Sequence, residues 1–231
     1  MSLELDDGAR GAIAASRLGM LPWDLLTDVL AGAARVRIGA RSTIRPVAGR
    51  SPHLELVLSG LVRIQVSSPD GRAITIRYCR RGAVMGVATL YAEAVRPFTI
   101  EALSDSELLR LDPSTVLRCA ARDPLVATAL LTETSERVMS FVAEFSGHAF
   151  RTVRQRIARH LLDLASVDPR STVLTAAVSQ QELADAAGTV REVVVRVLRD
   201  LRTEGCVRTG RDGIAIGDPE RLSAIAAAEE P

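Results

Sequence analysis

With 231 residues the chain has room for two modest domains, each able to bury its own core. A formal net charge of +1 gives no global basic field of the kind a non-specific nucleic-acid coat uses, and no apolar run reaches the ~18 residues a membrane span needs. The cysteines, Cys79, Cys119 and Cys206, are scattered and form no C-x-x-C, which fits reduced thiols in a cytoplasm, and no secretory leader or membrane association is expected.

Residues 1–20 carry no clear period and are expected to start loosely. Pro22-Trp23-Asp24 opens a helix through Leu25, Leu26, Val29 and Leu30, spaced at helical steps. From Val36 the period changes to two. Strands are expected at Ser42–Arg45, Leu54–Leu58, Leu61–Val66, Ala73–Arg77, Phe98–Ala102 and Glu107–Leu111. Turn signals separate them at Ala48-Gly49, Ser59-Gly60, Pro69-Asp70-Gly71 and Arg81-Gly82. Many short strands at this spacing predict a jelly-roll barrel. Asp112-Pro113-Ser114 ends the last strand and starts a short helix to about Ala120. A long helix follows from Asp123-Pro124 without a breaker until Gly147. Leu131, Val138, Phe141 and Phe145, with Thr134 between the first two, step by 3 and 4 along it as a two-helix seam does. A hinge is expected at Gly147–Ala149, then a further helix from Arg151 to Val167.

Ser179 to Glu204 carries most of the functional information. Ser179 and Glu182 have the spacing of a capping box, and Thr189 and Glu192 repeat it. Gly188 supplies the turn between two helices, and Ala184, Ala186 and Ala187 are small enough for close helix approach. On the second helix Val190, Val194, Val197, Leu198 and Leu201 fall on one face and Glu192, Arg196 and Arg199 on the other, with Arg191 in the first turn. An ordinary amphipathic helix with a Glu192–Arg196 ion pair has the same period. The paired caps and the glycine turn favour a helix-turn-helix, whose second helix presents arginine to guanine and glutamate to the cytosine amine in the major groove. Cys206-Val207-Arg208 and Ile214-Ala215-Ile216 flank a Gly/Asp turn and predict a small hairpin, the wing, with Arg208 and Arg211 suited to phosphates. The expected DNA contacts are Ser179, Gln180, Thr189, Arg191, Glu192, Arg196, Arg208 and Arg211. Local charge agrees: residues 151–217 hold 11 arginines against 8 acids.

Barrel, long helix and winged helix-turn-helix, in that order, resemble the CRP/FNR family of bacterial transcription regulators. The resemblance spans about residues 22 to 217. It is carried most specifically by LVLSGLVRI (56–64), the run from Gly82 to Leu111, RIARHLLDLA (156–165) and QELADAAGTVREVVVRVLRDL (181–201). It implies an α+β chain with three parts: a sensory jelly-roll domain over 1–122, a central dimerisation helix and hinge over 123–149, and a winged helix-turn-helix over 150–231. It also implies a homodimer on double-stranded DNA with a near-palindromic operator, RNA polymerase as a partner, and no enzymatic activity. REVVVR resembles the R-E-x-x-x-R of the cyclic-AMP receptor branch, in which those residues read TGTGA-like half-sites; here they are Arg191, Glu192 and Arg196. Val193 and Val195 stand where relatives have small or polar residues, and Val195 suits a thymine methyl.

The effector site implied by the resemblance comprises Gly86, Val87, Arg96, Pro97, Phe141 and Val142. Arg96 suits an anion. Val87 and Pro97, however, replace the glutamate and serine of the cyclic-nucleotide cassette, and Phe141-Val142 replaces the Thr-Ser pair that meets adenine. Cyclic AMP is therefore not the expected effector. An iron–sulfur cluster is not expected with the first cysteine at Cys79. Haem needs one or two axial ligands, so His53, His148, His160 and Cys79 keep a haem- or redox-sensing member of the same family as the alternative. No metal site is assigned. A cupin-like enzyme requires several histidines converging in the barrel, where only His53 is expected. An adaptor that no longer reads DNA is disfavoured by the intact Arg191, Glu192 and Arg196.

Overall fold

The computed structural model describes residues 5–45, 53–67, 73–92, 98–167, 173–210 and 213–227. Its internal contacts divide the chain into two compact units: Met1–Val66 with Ile76–Phe141, and Ser67–Thr75 with Val142–Pro231.

The first unit opens on a helix, α1 (Asp7–Ala14), followed by a 3-10 turn over Arg17–Met20, so helical turns form where the sequence shows no clear period. The Asp6 carboxylate caps α1 by accepting from Ala9 N at 2.8 Å, and Ala9, Ala12 and Ile13 are buried. They stand at i, i+3 and i+4, but two of the three are alanines, so the apolar stripe is weak in the sequence and burial in the core supports the helix. A second helix, α2 (Trp23–Val29), lies where the spacing of Leu26 and Val29 puts it.

Eight strands follow: β1 (Ala34–Ile38), β2 (Thr43–Arg45), β3 (Leu54–Ser59), β4 (Val62–Ser67), β5 (Ala73–Cys79), β6 (Val84–Met85), β7 (Phe98–Ala102) and β8 (Ser106–Leu111). They form two sheets, ordered β1-β8-β3-β6 and β2-β7-β4-β5. Alternation along the strands divides the packing. Val57, Met85 and Leu108 of one sheet meet Val62, Cys79 and Ile100 of the other between them. Leu54, Leu56, Leu58, Leu109 and Leu111 face outward against the helices. Strand β3 is therefore buried on both faces, which is why it reads as a nearly continuous apolar run. Its one charge, Glu55, is fully buried opposite Arg110 of β8, whose Nε donates to it at 3.0 Å.

Asp112 caps α3 (Pro113–Arg122). Then α4 (Pro124–Phe150) runs without interruption through Gly147; the chain breaks at Arg151–Thr152, four residues beyond the expected stop. One glycine costs a helix only about 1 kcal/mol, too little to end one that length and packing support. Val126, Ala129 and Leu130 of α4 join the outer core, and Glu136 receives both Arg17 Nε, at 2.9 Å, and Arg17 Nη2.

In the second unit, α5 (Val153–Leu164) is shorter than the Arg151–Val167 expectation. Its tail peels off as β9 (Ala165–Val167) to pair with β10 (Leu174–Ala176), a non-local bond invisible to helical period. Next come α6 (Gln180–Ala186), α7 (Arg191–Thr203), the hairpin β11 (Val207–Gly210) and β12 (Gly213–Ile216), and a final α8 (Pro219–Ala227) packed on α5. The hairpin belongs to a four-stranded antiparallel sheet, β11-β12-β10-β9. Among the described residues, no helix is long and apolar enough to cross a membrane.

Candidate nucleic-acid interface

The start of α6 is fixed by a complete capping box. Ser179 Oγ accepts from Glu182 N at 3.1 Å, while Ser179 N donates to Glu182 Oε2 at 2.8 Å. Leu183, Ala184, Ala186 and Ala187 are buried, so the small residues do allow close packing of α6 on α7. Gly188 turns the chain at φ +60 with nothing near the place a Cβ would occupy.

The second capping box is not formed. Thr189 N is drawn back to Ala184 O at 2.9 Å, and the cap falls one residue later, on Val190, which has no side-chain cap bond. Thr189 is consequently half-buried in the turn, and α7 begins at Arg191. Val190 likewise leaves its expected place in the core and is 57% exposed, because a cap residue lies outside the helical period. Val194, Leu198 and Leu201 are buried and Val197 half-buried, so the rest of the apolar face packs as its spacing requires.

On the other face Arg191, Glu192, Val195, Arg196 and Arg199 are exposed. Among the described residues Arg191, Glu192 and Arg196 make no ion pair; the Glu192–Arg196 pair that an ordinary amphipathic helix would form is not made. Two cations and a carboxylate thus stand ready for an external partner. Arg208 is exposed on β11, and Arg211 lies outside the described residues. Ser179 is exposed with its hydroxyl engaged in the cap, and Gln180 is half-buried. Spacing gave no sign of Arg202, whose Nη1 donates to Thr209 Oγ1 at 3.1 Å and ties the end of α7 to the wing.

In the barrel unit, Gly86 adopts φ +93, and a Cβ there would lie 2.1 Å from the His53 carbonyl oxygen, so only glycine fits. Thr89 Oγ1 staples the two segments, accepting from His53 N at 3.0 Å and donating to Gly86 O at 2.7 Å. Val87 is buried at the start of a 3-10 turn over Val87–Leu90. Phe141 and Val142 are each half exposed on α4, while Arg96 and Pro97 lie outside the described residues. Cys79 is fully buried between the sheets, and His53 and His160 are buried. Among the described residues no group of three or more His, Cys, Asp or Glu is placed to hold a metal ion.

Two family models match separate stretches of the chain. The model of the Crp-like helix-turn-helix domain matches residues 155–225, and that of the cyclic nucleotide-binding domain matches residues 48–123. The transcriptional regulator LdrP of Thermus thermophilus is 36% identical over 156 residues, 65% of this chain and 75% of its own. The chain belongs to the CRP/FNR family of transcription regulators.

Two further CRP/FNR-type proteins are similar along most of their length. A cyclic AMP receptor protein of Thermus thermophilus is 33% identical over 175 residues, 75% of this chain and 79% of its own. A solved transcriptional regulator of the CRP/FNR family, also from Thermus thermophilus, superposes with a TM-score of 0.72 at 27% identity, covering 85% of this chain and 100% of that one. The helix-turn-helix of this CRP/FNR protein is thus a DNA-binding module, and its barrel is a cyclic-nucleotide-binding-type domain suited to a small-molecule effector.

Proposed function

We propose that this CRP/FNR regulator acts as a homodimer that reads a near-palindromic operator of TGTGA-like half-sites with Arg191, Glu192 and Arg196. The single observation that carries the reading is that these three side chains are exposed and unpaired among the described residues, on a helix whose opposite face is buried. Arg208 and Arg211 of the wing, with Ser179, Gln180 and Thr189, are assigned to the phosphates. Pairing through α4 sets the two recognition helices about 34 Å apart, one DNA turn. The dimer face is supported by Leu131, Val138 and Phe141, all exposed along α4. The domain limits that go with this reading are 1–122, 123–149 and 150–231, with RNA polymerase as the partner at the promoter. Selection from randomised duplexes tests it: an enriched palindrome with G·C pairs at symmetric positions is expected, and recovery of no palindrome refutes it.

The effector is proposed to be other than cyclic AMP. Val87 offers no carboxylate to a ribose hydroxyl, and Phe141 and Val142 offer no polar group to adenine. Titration calorimetry is expected to detect no micromolar cyclic-AMP binding; a micromolar isotherm lost in Arg96→Ala overturns this part.

A further inference from the structure

Two arginines on the first turn of α5 are committed to the far ends of the two reader helices, all within the second unit. Arg154 Nη2 donates to both carboxylate oxygens of Glu204, at 2.7 Å each, and Glu204 is the residue on which α7 ends. Arg156 Nε donates to the carbonyl of Ala187, on which α6 ends, at 2.9 Å. The same guanidinium donates from Nη1 to the carbonyl of Arg151, in the break between α4 and α5, at 2.8 Å. The turn carrying both arginines is itself fixed by a Thr152–Gln155 capping box. Glu204 is further held by Arg221 of α8, which donates to its backbone carbonyl at 3.2 Å.

The chemistry favours fixed geometry over bulk stability. Helix C-termini carry partial negative charge, so a cation at each is favourable, yet such groups are worth little energetically near water. Arg154 and Glu204 are both partly exposed, and ion pairs of that kind add little to folding. Arg156 is different. Burial pulls its pKa down, and its donors are directed to backbone carbonyls of two separate segments. A cation is tolerated there only where its hydrogen bonds are well made.

We propose that Arg154 and Arg156 are positioning residues for DNA reading: they lock the α6–α7 pair to the peptide that leaves α4, so the recognition helix moves as an extension of that junction. The inference rests on α7 being the recognition helix. Loosening the lock then relaxes the spacing of half-sites that the dimer accepts without touching any base contact.

The test uses the full-length protein and fluorescence anisotropy on three kinds of duplex. These are the selected operator, the same operator with one base pair inserted or deleted between half-sites, and a duplex carrying a single half-site. Arg156→Gln is expected to weaken operator binding about tenfold, the scale of one lost base contact. Preference for the native spacing shrinks in this variant, and single-half-site affinity stays at the wild-type level. Arg154→Glu behaves likewise, and the swap Arg154→Glu with Glu204→Arg recovers spacing preference. Variants that keep wild-type spacing preference, or that lose half-site affinity in step with melting temperature, overturn the proposal. If Arg156→Gln fails to fold by circular dichroism, the partly exposed Arg154–Glu204 swap decides alone. Wild-type protein that binds none of the three duplexes selectively refutes the DNA reading itself and takes this inference with it.

Discussion

Arg196→Ala separates sequence reading from mere DNA affinity. The side chain is exposed on α7 and makes no ion pair among the described residues. Its removal therefore empties no cavity and strands no buried charge, and alanine is the better helix former. Folding stability is expected to stay within about 0.5 kcal/mol of wild type, the usual range for such surface sites. Specific binding behaves otherwise. A bidentate arginine–guanine contact is worth roughly 1–3 kcal/mol, and a dimer makes two, so the loss is roughly 2–6 kcal/mol. At 1.4 kcal/mol per decade that is about 30-fold to 10⁴-fold weaker operator binding. Affinity for scrambled duplex, which depends on the summed arginine charge, is expected to fall by less than about tenfold. Competition anisotropy on operator and scrambled duplexes, with a thermal melt as control, reads both numbers. A folded Arg196→Ala protein that keeps the wild-type preference for its operator refutes the assignment of this residue to a base.

Four other variants have outcomes that follow from particular features of the structure. Gly188→Ala is expected to cost about 1 kcal/mol, the left-handed backbone penalty alone, since no atom lies near the new Cβ. Gly213→Ala, whose Cβ would land 2.3 Å from the Ala176 carbonyl oxygen, is expected to cost more and to disorder the wing; equal urea midpoints for the two variants count against the turn geometry. Val138→Arg on the exposed face of α4 is expected to give monomers in sedimentation velocity, and a persistent dimer would move the interface elsewhere. Asp112 is held at about 2, below its ordinary 3.8, by hydrogen bonds from Ser114 and Thr115 at the start of α3. Its folded-state pKa is depressed, so its contribution is complete above 3.8 and vanishes as pH falls through about 2. Asp112→Asn is expected to flatten the stability change across that window, and an unchanged pH profile in urea melts contradicts the cap.

Elements with strong local grammar were legible in the chain. The Ser179–Glu182 box, the Gly188 turn and the Val194, Leu198, Leu201 face each act over a few neighbouring residues, and the structure keeps them. Several strands also lie where alternation and turn residues put them, Phe98–Ala102 to the residue. What stayed hidden depends on partners distant in sequence. The capping pattern at Thr189 looked complete, yet the bond from Thr189 N to Ala184 O displaced it. β9 exists only because β10 lies beside it, and β6 is a two-residue strand with no period of its own.

The sequence alone determined the family architecture, the reader helix and the identity of its three polar base-reading candidates, because helix period, caps and turn glycines act over a few residues. Tertiary structure decided which of those side chains stay uncommitted and which arginines are spent inside. Arg154, Arg156, Arg191 and Arg196 are chemically alike in the chain. Only folding brings Glu204 and the Ala187 carbonyl to the first two and leaves the last two facing outward. A guanidinium's role is fixed by the acceptors within its reach, and those are set by the packing of helices far apart in sequence.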